Sequence, residues 1–92
     1  MQSSTQEIEN PTDSTTIDFE PKVILFNDEI HSFDEVINQI QKAISCSRDQ
    51  AETLTLEVHT TGKALVYSGE MIECLKVVSV LEEIGLHTTI EM

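Results

Sequence analysis

The chain has 92 residues, of which 17 are acidic and five are basic, giving a formal net charge of −12. This length allows one small domain. The negative charge and the scattered basic residues argue against a phosphate-binding surface, so nucleic acid is not an expected partner. No apolar run approaches the roughly 20 residues that span a bilayer, and the acidic N-terminus is unlike a signal peptide. We therefore expect a cytoplasmic protein with no membrane partner.

The N-terminal segment differs in composition from the rest of the chain. Between Met1 and Glu20 there are seven Ser or Thr residues, five acids and no base. Such a segment buries too little apolar surface to offset the entropy of ordering. We predict a flexible acidic extension over residues 1–21 and a folded core domain over residues 22–92.

The core begins with a short strand followed by a capped helix. Val23–Phe26 is apolar, rich in β-branched residues and bounded by polar turn residues, which is typical of a buried strand. Ser32, with Glu35 three positions later, matches a capping box. The pattern predicts a helix from about Phe33 to Ser45.

The remaining elements follow from caps, glycines and alternation of polarity. Ser47 with Gln50 repeats the capping-box pattern, and Gly62 supplies a stop. The predicted elements are a helix over about 48–60, a strand over 63–68, a helix over about 70–84 and a strand over 86–91. The order β-α-α-β-α-β predicts an α+β fold, with a small three-stranded, mostly antiparallel sheet packed on three helices. The predicted inward face of the third helix is Met71, Leu75, Val78, Leu81 and Ile84.

Hydrogen-bond acceptors gather where the first strand meets the first helix. Asn27, Asp28 and Glu29 follow the strand directly, and His59 at the end of the second helix can add an acceptor nitrogen. Such a cluster fits an ammonium group with three N–H donors. An apolar cavity behind it would be lined by Phe26, Phe33, Val36, Val58 and Leu86. Spacing alone leaves ordinary core packing, with His59 as a helix cap, as the simpler alternative.

Catalytic and metal-binding patterns are missing from the sequence. It has no Gly-x-Ser-x-Gly elbow and no phosphate-binding glycine loop, and neither Cys46 nor Cys74 has an adjacent base. The histidines and cysteines also lack the short spacings of a zinc site. We expect a protein that is not an enzyme, with no cofactor, no metal and two reduced thiols.

Several segments resemble the ClpS family, the adaptors of the ATP-dependent Clp protease. The similarity covers essentially all of residues 22–91 and includes Val23–Asp28, Leu56–His59, Gly62–Ala64 and the helix with Lys76–Val78. A strand ending in Asn-Asp, with Val-His-x-x-Gly-Lys-Ala about 30 residues later, is a fairly specific pair of motifs. The acidic leader also resembles the family's N-terminal extension.

The resemblance implies a monomeric adaptor that binds N-degrons, which are substrate proteins whose first residue is Leu, Phe, Tyr or Trp. It would deliver them to a ClpA or ClpC-type Hsp100 unfoldase for degradation by ClpP. Asn27 and His59 would hydrogen-bond the substrate α-amine, assisted by Asp28 and Glu29. The hydrophobic pocket for the first side chain would comprise Phe26, His31, Phe33, Val36, Thr55, Val58 and Leu86.

The site residues depart from the usual family pattern at several positions. Glu29 stands where a second aspartate is usual, and His31-Ser32 replace a Thr-Pro pair. Phe33 and Thr55 each replace a methionine of the pocket. A different rim should change which residues fit, so we predict a shifted preference among first residues.

The resemblance also places unfoldase docking around the start of the third helix. Glu70, Glu73 and Lys76 lie on one face there and are the predicted docking residues. The alternative for these three is a solvated helix face with ion pairs at i,i+3. For the whole chain, the competing function is a non-catalytic protein-interaction module of ribosomal-stalk-like α+β type with no N-degron pocket.

Overall fold

A computed structural model of the chain describes residues 20–92. It contains three helices and three strands in the predicted order. The elements are β1 (Lys22–Phe26), α1 (Phe33–Ile44), α2 (Arg48–Thr61), β2 (Lys63–Ser68), α3 (Met71–Glu82) and β3 (His87–Glu91). The α+β prediction is confirmed. The predicted and observed ends of the elements differ most at the end of α3, which was predicted near residue 84 and lies at Glu82. Apart from its last two residues, the predicted acidic extension lies outside the described residues.

The strand β1 is the centre of an antiparallel sheet with the order β2-β1-β3. The last residue of β1, Phe26, pairs with Lys63 at the start of β2 and with His87 at the start of β3. The loop that follows Phe26 therefore emerges beside the beginnings of both outer strands. This register brings the loop close to the end of α2, which leads into β2.

Caps fix the helix ends on either side of that loop. The hydroxyl of Ser32 accepts from the backbone N–H of Glu35, whose carboxylate accepts from the N–H of Ser32. The predicted capping box of α1 is thus confirmed. Ser47 caps α2 by accepting from the N–H of Gln50. Gly62 ends α2 with φ +94°, a left-handed conformation that glycine adopts without a Cβ clash.

The helices bury one face of β1 completely. Val23 and Leu25, which alternate along the strand, are both 0 % exposed, as are Ile40 of α1 and Ala51 of α2. The main buried cluster consists of Val23, Leu25, Ile37, Ile40, Ala51, Val58, Ala64, Val66, Cys74, Val77, Leu81 and Leu86. No helix among residues 20–92 combines the length and apolar character needed to cross a bilayer.

The inward face predicted for α3 is wrong in part. Cys74, Val77 and Leu81 are the buried residues of this helix, whereas Met71 and Leu75 are 41 % and 53 % exposed. The helix is apolar on most of its circumference, so its periodicity does not select one stripe. The compact side chain of Cys74 lies against the segment that leads into β1, with its Sγ 3.5 Å from the carbonyl oxygen of Pro21.

Candidate functional site

A cavity of about 360 Å³ opens beside the loop between β1 and α1. Its walls come from that loop, the start of α1, the second half of α2 and the residue before β3. The lining residues are Leu25, Phe26, Asn27, Asp28, Glu29, His31, Ser32, Phe33, Val36, Thr55, Val58, His59 and Leu86. All residues predicted for the amine site and the pocket are among them. Leu25 and Ser32 were not predicted.

The polar rim of the cavity is brought together by a backbone contact. The N–H of Asn27 donates to the carbonyl of Gly62 over 2.9 Å, which holds the start of the loop against the end of α2. His59 lies in the last turn of the same helix. Within residues 20–92, no hydrogen bond or ion pair engages the side chains of Asn27, Glu29 or His59. Their acceptor atoms are therefore available to a ligand.

Asp28, by contrast, is engaged with its own loop. Its Oδ1 accepts from the backbone N–H groups of Ile30 and His31, each over 3.0 Å. Its Oδ2 lies 2.8 Å from Nδ1 of the His31 ring. Burial raises the pKa of the Asp28 carboxyl, but these hydrogen bonds together outweigh burial and leave the pKa below its ordinary value. Asp28 thus shapes the loop that presents Asn27 and Glu29.

His31 joins this loop to the end of α3, a link that the sequence did not predict. While Nδ1 faces Asp28, Nε2 lies 2.5 Å from the carbonyl oxygen of Ile84. Its side chain is only 10 % exposed. The hydrogen bond to Asp28, followed by the one to Ile84, raises the pKa of the ring despite its burial. The sequence contains one local indication of this link, which is that Asp28 precedes His31 by three positions. The other partner, Ile84, is 53 residues away and could not be identified from the sequence.

The Asp28–His31 pair should give the fold a two-sided pH dependence. The depressed pKa of Asp28 contributes stability above about pH 3.8 that is lost as pH falls through the folded-state value. The raised pKa of His31 contributes stability below about pH 6.5 that is lost as pH rises through its folded-state value. Urea unfolding at several pH values should show this window. The Asp28→Asn variant should lose this dependence of the free energy of unfolding on pH. An unchanged pH dependence in that variant would contradict the Asp28–His31 pairing.

The floor of the cavity is apolar. Val58 and Leu86 are each 4 % exposed, and Phe26 and Val36 lie beside them as half-buried side chains. Thr55 does not interrupt this surface, because its hydroxyl donates to the carbonyl of Ala51 over 2.7 Å. The hydroxyl is already satisfied within α2, which allows a polar residue to lie in the floor at little cost.

An aromatic pair stands at the rim. The Phe33 and His59 rings meet nearly edge to face, with centroids 5.9 Å apart and an interplanar angle of 79°. Phe33 is 41 % exposed, so it lies at the mouth and not in the core. This contact restricts the orientation of the His59 imidazole, since aromatic pairs favour such geometries.

The predicted docking residues lie at the start of α3. Glu70 is the N-cap of this helix and is exposed, without a side-chain hydrogen bond to the helix. The carboxylate of Glu73 lies 3.5 Å from the Lys76 ammonium, one turn along. Both side chains are about half exposed or more. The three residues therefore share an accessible surface, and their docking role stays a prediction.

A model of the family described as ATP-dependent Clp protease adaptor protein ClpS matches residues 18–89. The chain belongs to the ClpS family. The family resemblance seen in the sequence is thereby confirmed, and it spans nearly the whole of the described core.

Curated relatives of this ClpS-family chain include parts of much larger proteins. The E3 ubiquitin-protein ligase UBR2 of Homo sapiens is 34% identical over 58 residues, which is 63% of this chain and 3% of the ligase. UBR1 of Homo sapiens is 37% identical over 51 residues, or 55% of this chain and 3% of that protein. The ClpS-family chain thus spans a small fraction of these ligases.

A solved structure has the same fold. Agrobacterium tumefaciens ClpS2 bound to L-phenylalaninamide superposes on the chain with a TM-score of 0.71 and 24% sequence identity. The match covers 78% of this ClpS-family chain and 94% of ClpS2. The arrangement of three helices on a three-stranded sheet is therefore a ClpS fold.

Proposed function

We propose that this ClpS-family chain is a non-enzymatic adaptor that binds N-degrons with a bulky hydrophobic first residue and delivers them to the Clp protease. The observation that carries the proposal is the cavity itself, whose mouth holds unengaged acceptors and whose floor is apolar. An N-terminal residue such as Phe combines an ammonium group with an apolar side chain. The L-phenylalaninamide bound by the ClpS2 relative has the same combination.

The amine would be recognised by charge-assisted hydrogen bonds. A free α-amine has a reference pKa of about 7.7 to 8.0 and is mostly cationic at neutral pH. The Asn27 carbonyl oxygen and a neutral His59 nitrogen accept two of its N–H donors. Since His31 already balances Asp28, Glu29 is the loop carboxylate left to balance the ammonium charge. Each such bond contributes about 1.5 to 3 kcal/mol.

The first side chain would fill the apolar part of the cavity. Burial of a Leu or Phe side chain adds roughly 1.5 to 3 kcal/mol. Together with the amine contacts, this reaches about micromolar affinity once the entropy of association is subtracted. An internal peptide segment has no amine to offer, so it would leave the rim acceptors without a partner.

A peptide array that varies only the first residue tests the proposal. Peptides beginning with Leu, Phe, Tyr or Trp should bind, with affinities that differ among the four because Phe33 and Thr55 reshape the pocket. Peptides beginning with Ser, Gly or Asp should not bind. Equal binding of all first residues would favour the alternative, an interaction module of ribosomal-stalk-like type without an N-degron pocket.

The partner in delivery would be a ClpA or ClpC-type Hsp100 unfoldase, contacted through Glu70, Glu73 and Lys76. These exposed side chains offer both signs of charge from the N-cap through the first two turns of α3. The adaptor would act as a monomer in the cytoplasm together with that unfoldase. The domain division into 1–21 and 22–92 is part of the same proposal.

Deleting residues 1–20 should separate binding from delivery. The residues that line the cavity begin at Leu25, after the deleted segment, so the affinity for a Phe-starting peptide should stay the same. Degradation of a protein with an N-terminal Phe by the unfoldase and ClpP should slow if the extension has a part in delivery. Unchanged degradation by the truncated chain would show that the segment is a passive leader.

A further inference from the structure

We propose that His31 is a positioning residue of the N-degron site, which as an imidazolium fastens the amine-binding loop to the end of α3. This role rests on the proposed function, because it concerns the loop that presents Asn27 and Glu29.

The two hydrogen-bond partners of the ring establish its protonation state. The carbonyl oxygen of Ile84 can only accept, so Nε2 must donate to it. The Asp28 carboxylate also accepts, since it already receives two backbone N–H groups and its pKa is depressed. Nδ1 must therefore donate as well. A ring that donates from both nitrogens is an imidazolium.

The surroundings of the ring favour its positive charge. Asp28 in the loop and Glu35 in α1 are the carboxylates that act on it. From the side of α3 it meets the Ile84 carbonyl, just beyond a helix end where the macrodipole favours a cation.

Loss of the proton must break one of the two links. A neutral imidazole has a single N–H, so it cannot donate to both Asp28 and Ile84. Either the loop is released from α3 or the Asp28 carboxylate loses its ring partner. In both cases the loop gains freedom that a bound peptide must remove again, which weakens binding. The affinity of the site should therefore fall as pH rises through the pKa of His31.

The test compares the pH dependence of binding in the full chain and in His31→Gln. The titration of the peptide amine is common to both proteins and cancels in the ratio of their Kd values for a Phe-starting peptide. At about pH 6 we expect the unmodified chain to bind this peptide about tenfold more tightly than His31→Gln does. The ratio of the two Kd values should fall toward one at about pH 9. His87→Gln changes an exposed histidine on β3 whose ring contacts Phe26 of the cavity but neither Asp28 nor Ile84. Whatever its effect on affinity, it should leave the pH dependence of binding unaltered. A ratio that does not vary with pH overturns the role of His31.

A second measurement does not depend on the variant folding. NMR titration of the unmodified chain should show both His31 ring nitrogens protonated at neutral pH. By linkage, the same coupling should raise the His31 pKa further when the Phe-starting peptide is bound. A pKa that does not rise on binding overturns the positioning role while leaving peptide binding, and so the proposed function, intact. Failure of the unmodified chain to bind the peptide at any pH overturns the proposed function and this role with it.

Discussion

Replacing Asn27 with alanine is expected to weaken binding of a Phe-starting peptide by about 10-fold to 100-fold. The amide supplies one hydrogen bond to the ammonium group, and bonds to charged groups contribute about 1.5 to 3 kcal/mol. The fold should tolerate the change, because the Asn27 side chain is exposed and engages no other described residue. Its backbone N–H, which holds the loop to Gly62, is retained. Fluorescence anisotropy with a labelled peptide measures the loss.

Asn38 provides a matched control for this substitution. It is an exposed asparagine on α1 that does not line the cavity, and its amide oxygen lies 3.5 Å from the guanidinium of Arg48. Asn38→Ala should bind the peptide as the unmodified chain does. If Asn27→Ala binds equally well, Asn27 does not contact the amine. The corresponding loss in His59→Ala, and its coupling with Asn27→Ala in a double-mutant cycle, would establish that both side chains act on one group.

Replacing Leu25 with alanine is expected to unfold much of the protein. Leu25 is 0 % exposed at the centre of the middle strand and also lines the base of the cavity. Truncation of a buried leucine costs about 2 to 5 kcal/mol, since a cavity is left behind. A core of this size rarely supplies more than about 3 to 5 kcal/mol in total. Urea unfolding should show a midpoint near zero denaturant.

Leu65 is the matched control for the stability measurement. It lies on the neighbouring strand β2 but is 44 % exposed. Leu65→Ala should therefore cost less than about 1 kcal/mol. Equal losses for the two leucines would mean that the core is not centred on β1 as described.

The features of the fold that depend on local chemistry were predictable from the sequence. The bonds from Glu35 to Ser32 and from Gln50 to Ser47 span three residues, so a short motif contains everything that forms them. Gly62 is predictable for the same reason, because the left-handed end of a helix favours glycine locally. Together with the apolar and alternating runs of the strands, these signals placed five of the six elements to within one residue at each end.

The face of α3 was not predictable from periodicity. Met71, Ile72 and Leu75 are as apolar as the residues that pack inward, yet all three are exposed. They are exposed because α3 packs into the core through Cys74, Val77 and Leu81. Part of this packing is with distant segments, since Cys74 Sγ lies 3.5 Å from the carbonyl oxygen of Pro21, 53 residues earlier. The sequence therefore shows two apolar faces of α3 that are nearly equivalent, and packing with distant segments determines which of them is buried.

The candidate site shows the same division between local and distant information. The acceptors at Asn27 and Glu29 lie next to Phe26 in the sequence and were identified from it, whereas Val58 and Leu86 reach the cavity from distant elements. Their approach to His59 depends on the bond between Asn27 and Gly62, which only the register of the sheet brings about. The hydrogen bond between His31 and Ile84 was missed because Ile84 lies 53 residues away, although the bond between Asp28 and His31 spans only three residues.

The most direct measurement is the affinity of one Phe-starting peptide in two forms, with a free α-amine and with that amine acetylated. Acetylation removes the positive charge and two of the three N–H donors but leaves the phenylalanine side chain unchanged. The free peptide should bind with about micromolar affinity, and the acetylated peptide at least about tenfold more weakly. Equal binding of both forms, or binding of neither, would contradict a pocket that recognises the N-terminus.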